Sequence, residues 1–128
     1  MHWKIDTSFN VGNITSDAGG LLIREIDKAM NFIKSFTNYF SDYRDQSEIE
    51  HELQSLLMQR IDGIILGYED LNDHDTLRLD PLLAVMCGKS NPLGKNRKLV
   101  QDKGKALAGK STLNRLELTP ENANAKDR

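Results

Sequence analysis

Ile49-Glu50-His51-Glu52-Leu53-Gln54-Ser55-Leu56-Leu57-Met58-Gln59-Arg60-Ile61-Asp62-Gly63-Ile64-Ile65-Leu66-Gly67 is the stretch whose reading decides the fold. Its apolar residues Ile49, Leu53, Leu56, Leu57, Ile61, Ile64 and Ile65 recur at intervals that line one face of a helix. Glu48, Glu50 and Glu52 near its start suit the positive end of the helix dipole. Gly67 is placed to end it in the left-handed conformation that glycine adopts at little cost. Upstream, Leu22, Ile23, Ile26, Met30, Ile33, Phe36 and Phe40 form a second such stripe, and residues 41–47 break the period between them. Two helices with one apolar face each are expected to pack as an antiparallel hairpin, because neither hides its face alone. The stripes therefore read as core.

Working outward, Trp3, Ile5, Thr7 and Phe9 alternate as in a short half-buried strand, Val11-Gly12-Asn13 reads as a turn, and Ser16 or Asp17 is expected to cap the first helix. Asp80-Pro81 reads as a cap with proline at the first helical position, opening a short helix through Cys87 that Gly88 ends. Residues 88–104 show no period, and Asn91-Pro92-Leu93-Gly94 is a turn within them; such a span serves as a binding loop or a linker. A last short helix is expected from Ser111 through Leu116, closed by Thr119-Pro120. The expected fold is mainly α: a helical hairpin plus short helices, a short N-terminal β-strand, and a disordered tail over residues 119–128 that follows a helical region over 1–118.

With 128 residues and 28% charged side chains, the chain suits one small domain. Its longest apolar run, Leu82 to Cys87, is far short of the roughly 20 residues of a bilayer-spanning helix, so no membrane partner is expected. Cys87 is the one cysteine, which rules out an intrachain disulfide, and Met1 to Asp6 lack a secretory apolar region. Both point to a reducing cytoplasm, where the Asn13-Ile14-Thr15 sequon carries no glycan.

The formal net charge of −2 conceals two unlike halves. Residues 1–87 hold 7 basic and 15 acidic side chains, residues 88–128 hold 10 and 4. This asymmetry favours a polyanion partner, against the plainer reading of a solvated loop that balances its own acidic half. No aromatic residue lies beyond Tyr68, so the basic segment has no stacking platform and phosphates are the expected contact. Lys95, Arg97, Lys98, Lys103, Lys105, Lys110 and Arg115 are the candidate phosphate-contacting residues, DNA-binding if the polyanion is nucleic acid.

Three patterns bear on chemistry. Glu69 to Asp75 offers clustered carboxylates and His74, but an EF-hand loop counted from Asp70 has Asp75 where glycine is needed and Pro81 where glutamate is needed, so a helix-to-helix turn is expected rather than a metal site. His51 reads as a surface histidine and Cys87 as a buried small apolar residue rather than a catalytic thiol. Gly104 to Ser111 matches the phosphate-cradling G-x-x-x-x-G-K-S pattern, although a P-loop needs a buried strand before it and a long helix after it, and here Leu99-Val100 and Pro120 leave room for neither.

The run Gly67-Tyr68-Glu69-Asp70-Leu71-Asn72-Asp73-His74-Asp75, with Leu77-Arg78 and Asp80-Pro81-Leu82-Leu83, resembles the N-terminal region of bacterial insertion-sequence transposases of the DDE group 1 class. Leu107-Ala108-Gly109-Lys110-Ser111-Thr112-Leu113-Asn114-Arg115-Leu116-Glu117-Leu118 resembles it as well, as do Asp17-Ala18-Gly19-Gly20-Leu21-Leu22 and the second-helix residues Glu52-Leu53, Leu57 and Gln59-Arg60. In that family the glycine-lysine-serine-threonine string introduces a helix. The resemblance implies a DNA-cutting and strand-transfer enzyme with a ribonuclease-H-like core, in which three carboxylates hold two metal ions, Mg2+ for the full-length enzyme. The family's first catalytic aspartate belongs to a strand after the Leu113 to Glu117 segment, so no residue here is assigned a catalytic or metal-ligating role. The expectation is a truncated transposase that keeps DNA binding, lacks strand transfer on its own and needs no cofactor. Its expected partner is duplex DNA, with full-length transposase or a second copy as further candidates. Two alternatives stay open: a P-loop-like nucleotide-binding protein, and an inhibitory partner of full-length transposase.

Overall fold

The computed structural model describes residues 15–118; the strand and turn expected before residue 14 and the tail expected over 119–128 lie outside the described residues. Within that span the chain is mainly helical and forms no strand. The helices are α1 (Gly20–Met30), α2 (Phe32–Thr37), α3 (Leu53–Ile65), α4 (His74–Leu77), α5 (Pro81–Met86) and α6 (Lys110–Glu117), with single 3-10 turns at Leu71–Asp73 and Val100–Asp102.

The first expected helix is two helices. Asn31 takes a left-handed conformation (φ 54°), which asparagine tolerates better than most residues, and its N–H donates to the Asp27 carbonyl at 2.6 Å. The Asp27 carboxylate then accepts the Ile33 N–H at 3.0 Å, supplying an acceptor in the first turn of α2. The break also divides the apolar stripe. Leu21 and Ile23 pack on the main core and Ile33 is buried, but Leu22, Ile26 and Met30 remain 70%, 59% and 69% exposed. The expected hairpin is accordingly replaced by a split arrangement, in which α1 leans on α5 and α2 on α3. Neither Ser16 nor Asp17 caps α1: Gly19 precedes it without a side-chain cap, and the Asp17 carboxylate instead accepts the Tyr68 hydroxyl at 2.8 Å. Gly20 permits the close approach of α1 to α5, since a Cβ there would stand 2.4 Å from the Met86 sulfur.

α3 starts at Leu53, four residues later than its apolar period begins, and ends as expected. Gly67 (φ 97°) donates its N–H to the Ile64 carbonyl and Tyr68 donates to the Gly63 carbonyl, the paired bonds of a Schellman ending. Asp80 caps α5 by accepting the Leu82 N–H at 2.8 Å, with Pro81 at its first position and Gly88 (φ 75°) beyond its end. The main core gathers Leu77, Leu82, Leu83, Met86, Cys87 and Leu107, and a smaller cluster joins Leu56, Ala108 and Leu113. Each such leucine contributes about 2 kcal/mol by burial. Because Leu107 and Ala108 belong to separate clusters, the chain segment before α6 stitches the two together.

Candidate nucleic-acid interface

The two segments that carry the family resemblance lie against each other. Gln59 on α3 holds Ala108 at both backbone groups: its side-chain nitrogen donates to the carbonyl at 2.8 Å and its oxygen accepts the N–H at 3.0 Å. The same nitrogen lies 3.0 Å from His74 Nδ1, which makes that atom the acceptor and fixes the proton on Nε2. His74 is wholly buried against Gly63, where a Cβ would meet the ring at 2.9 Å. Burial, with Arg60 adding to it, holds the His74 pKa below its ordinary value. Lys110 closes the joint from the other side, its N–H donating to the Asp75 carboxylate at 2.9 Å and its Nζ to the Asn72 side chain at 3.0 Å.

These bonds decide two of the sequence patterns. The residues from Glu69 to Asp75 form a turn: Asp70 accepts the Asn72 N–H, Asp75 serves Lys110, and His74 points into the core. Among the described residues no group of three His, Cys, Asp or Glu side chains converges so as to hold a metal ion, and Asp70, Asp75 and His74 are each committed to bonds or packing within the protein. In the Gly104 to Ser111 segment the amides that would cradle a phosphate already have protein acceptors: Leu107 donates to the Arg78 carbonyl, Ala108 to Gln59 and Lys110 to Asp75. The glycine-lysine-serine-threonine string introduces α6, with Gly109 as its first cap.

The loop over residues 88–105 is irregular but closed on itself. Arg97, 14% exposed at its side chain, donates through Nε to Glu50 at 2.5 Å and through Nη1 to the Lys105 carbonyl at 2.7 Å, while Nη2 stands 3.3 Å from Asp102. Gly94 (φ 67°) lies against the Lys105 and Ala106 backbone, where a Cβ would meet Ala106 N at 2.7 Å. The Asn91-Pro92-Leu93-Gly94 turn is present, with the Gly94 N–H donating to the Asn91 carbonyl.

The seven candidate DNA-binding residues consequently divide. Lys95, Lys98 and Lys103 are exposed on this loop. Arg97 is a structural staple, Lys105 reaches the Gln101 carbonyl at 2.9 Å, and Lys110 is bonded to the acidic turn. Arg115, exposed on α6, lines a cleft of about 440 Å3 together with Arg44 and Arg97.

His51 is not at the surface. It is 7% exposed, and its Nδ1 stands 2.9 Å from the Lys89 ammonium. Burial, reinforced by Lys89, Arg97 and Arg44, pulls its pKa down to about 3. The reading as a surface residue relied on the flanking Glu50 and Glu52; no local pattern reveals a partner 38 residues away. Cys87 is buried as expected, and burial pushes its thiol well above the ordinary value. Asp62, on α3, is the buried acid that sequence reading passed over, because it falls inside an apolar run; burial, with Asp27 adding to it, pushes its carboxyl up to about 7.

Compared with known families, the sequence matches the one described as Transposase DDE domain group 1 over residues 1–128, and the chain belongs to that family. Its function is accordingly transposase-related. Searches of curated proteins and of solved structures return no significant match. No helix among the described residues is long and apolar enough to cross a membrane.

Proposed function

We propose that this chain carries the DNA-binding helical region of a DDE transposase and grips duplex DNA through phosphate contacts. The observation that carries the reading is the ordered basic loop: the Arg97 staple and Gly94 fix its backbone while Lys95, Lys98 and Lys103 stay in solvent. Family membership supports DNA as the polyanion. A loop held in one conformation loses less entropy on binding than a free one, so its cations are pre-arranged for a phosphate track. Each phosphate neutralised releases counterions and gives a slope of roughly −0.9 in log affinity against log salt.

Fluorescence anisotropy on a labelled duplex tests this. The full chain should bind with a steep salt dependence, and the Lys95→Ala, Lys98→Ala, Lys103→Ala triple variant should reduce the slope by roughly three while melting like the parent. A flat salt dependence, or a triple variant with the parent's slope, refutes it.

A further inference from the structure

A cleft of about 380 Å3 opens between the start of α3, the chain that follows α5, and the basic loop. Lys89, Lys98, Ser90 and Asn96 line it, with His51 and Glu52 on the α3 side. Lys89 is half-buried there, with its Nζ 2.9 Å from His51 Nδ1. A neutral imidazole accepts a hydrogen bond from the ammonium and orients it, but does not cancel its charge. Of the two acids on this wall, Glu50 is engaged by Arg97 at 2.5 Å. Burial lowers the Lys89 pKa, with Arg97 adding to it and Cys87, Glu52 and Glu50 opposing it. Glu52 and Ser55 belong to the beginning of α3, which has no side-chain cap on its first amides.

We propose that this cleft is a phosphate site, in which Lys89, held in position by His51, and Lys98 bind a phosphoryl oxyanion while Ser90 and Asn96 complete its hydrogen bonds. Hydroxyl and amide donors around two ammonium groups suit a tetrahedral anion with several acceptor oxygens. The phosphoryl group is either a phosphodiester of bound duplex or a free phosphate; the first source rests on the DNA-binding reading above, the second does not.

Two measurements on the full chain separate these. In the first, inorganic phosphate is titrated while the His51 ring and the Ser90 and Asn96 amides are followed by NMR, with sodium chloride and sodium acetate at equal ionic strength as controls. Saturable shifts are expected with phosphate alone, lost in Lys89→Met, whose stem has nearly the same shape, and weakened severalfold in Lys98→Gln, an exposed change that leaves folding intact. In the second, duplex binding by Lys89→Met should show a salt slope smaller by roughly one. Phosphate saturation with a reduced slope establishes the DNA phosphodiester as the source. Phosphate saturation with an unchanged slope, or in a chain that binds no duplex at all, supports the site with free phosphate as the ligand. Equal shifts in chloride or acetate, or shifts indifferent to both Lys89→Met and Lys98→Gln, overturn the proposal even where the parent chain binds DNA.

Discussion

Replacing Asp62 with asparagine should stabilise the protein, and by an amount that depends on pH. The Asp62 carboxyl is 5% exposed, and burial, with the charge of Asp27 adding to it, pushes its pKa from 3.8 to about 7. Between those values the folded chain holds a proton that the unfolded chain has released. Stability from this group is therefore fully present below the unfolded value and is lost as the pH rises through the folded one. The difference corresponds to about 4 kcal/mol between the two plateaus. Asparagine keeps the shape and removes the ionisation, so Asp62→Asn should equal wild type below pH 3.8, gain on it as the pH rises, and exceed it by up to about 4 kcal/mol above neutrality. His51 works in the opposite direction. Its folded pKa of about 3 lies below the ordinary 6.5, so its contribution is present above that value and lost as the pH falls through the interval. The wild-type curve alone therefore mixes two opposed titrations, but subtracting it from the variant's isolates Asp62. Urea unfolding followed by far-UV circular dichroism from below pH 3.8 to mild alkali gives both curves. A variant advantage that is constant with pH, or absent above neutrality, refutes the account of a desolvated carboxyl.

Other consequences are as direct. Gln59→Leu removes the clamp on Ala108 and leaves a buried N–H, a buried carbonyl and His74 Nδ1 without partners, so urea unfolding should show a loss of about 3 kcal/mol or more. Gly63→Ala places a methyl group 2.9 Å from the His74 ring and should cost about 1 to 3 kcal/mol in the same assay. NMR titration should find the His51 ring neutral from mild alkali down to mild acid, where an exposed histidine becomes charged. The Cys87 thiol should resist a thiol-specific reagent under native conditions and react fully in denaturant. Added magnesium or manganese should leave plasmid DNA intact in the presence of the chain; nicking that vanishes in an Asp70→Asn, Asp73→Asn variant would assign that turn a catalytic role.

Features set by neighbours within a few residues were legible in the sequence. Asp80-Pro81 capping α5, Gly67 ending α3 and the Asn91 to Gly94 turn all depend on bonds spanning no more than five positions. The two apolar stripes were legible too, since helical period is a local property. What each stripe packs against was not: Leu22, Ile26 and Met30 obey the period and still face outward, because Asn31 breaks the helix and redirects it. The basic segment was legible as a charge imbalance, but which of its cations stay in solvent depended on acceptors supplied from elsewhere, Glu50 for Arg97 and Asn72 for Lys110.

Composition and short-range pattern thus determined a mainly helical chain with an acidic first part, a basic loop and the two segments that mark its family. Tertiary structure decided that those segments are held together through Gln59 across 49 residues, that His51 leaves the surface to orient Lys89 from 38 residues away, and that Asp62 is shut in by α3's own packing. The physical reason is that helix period and caps are written in contacts between near neighbours. Burial and charge compensation instead depend on which distant side chains the finished fold brings within about 3 Å.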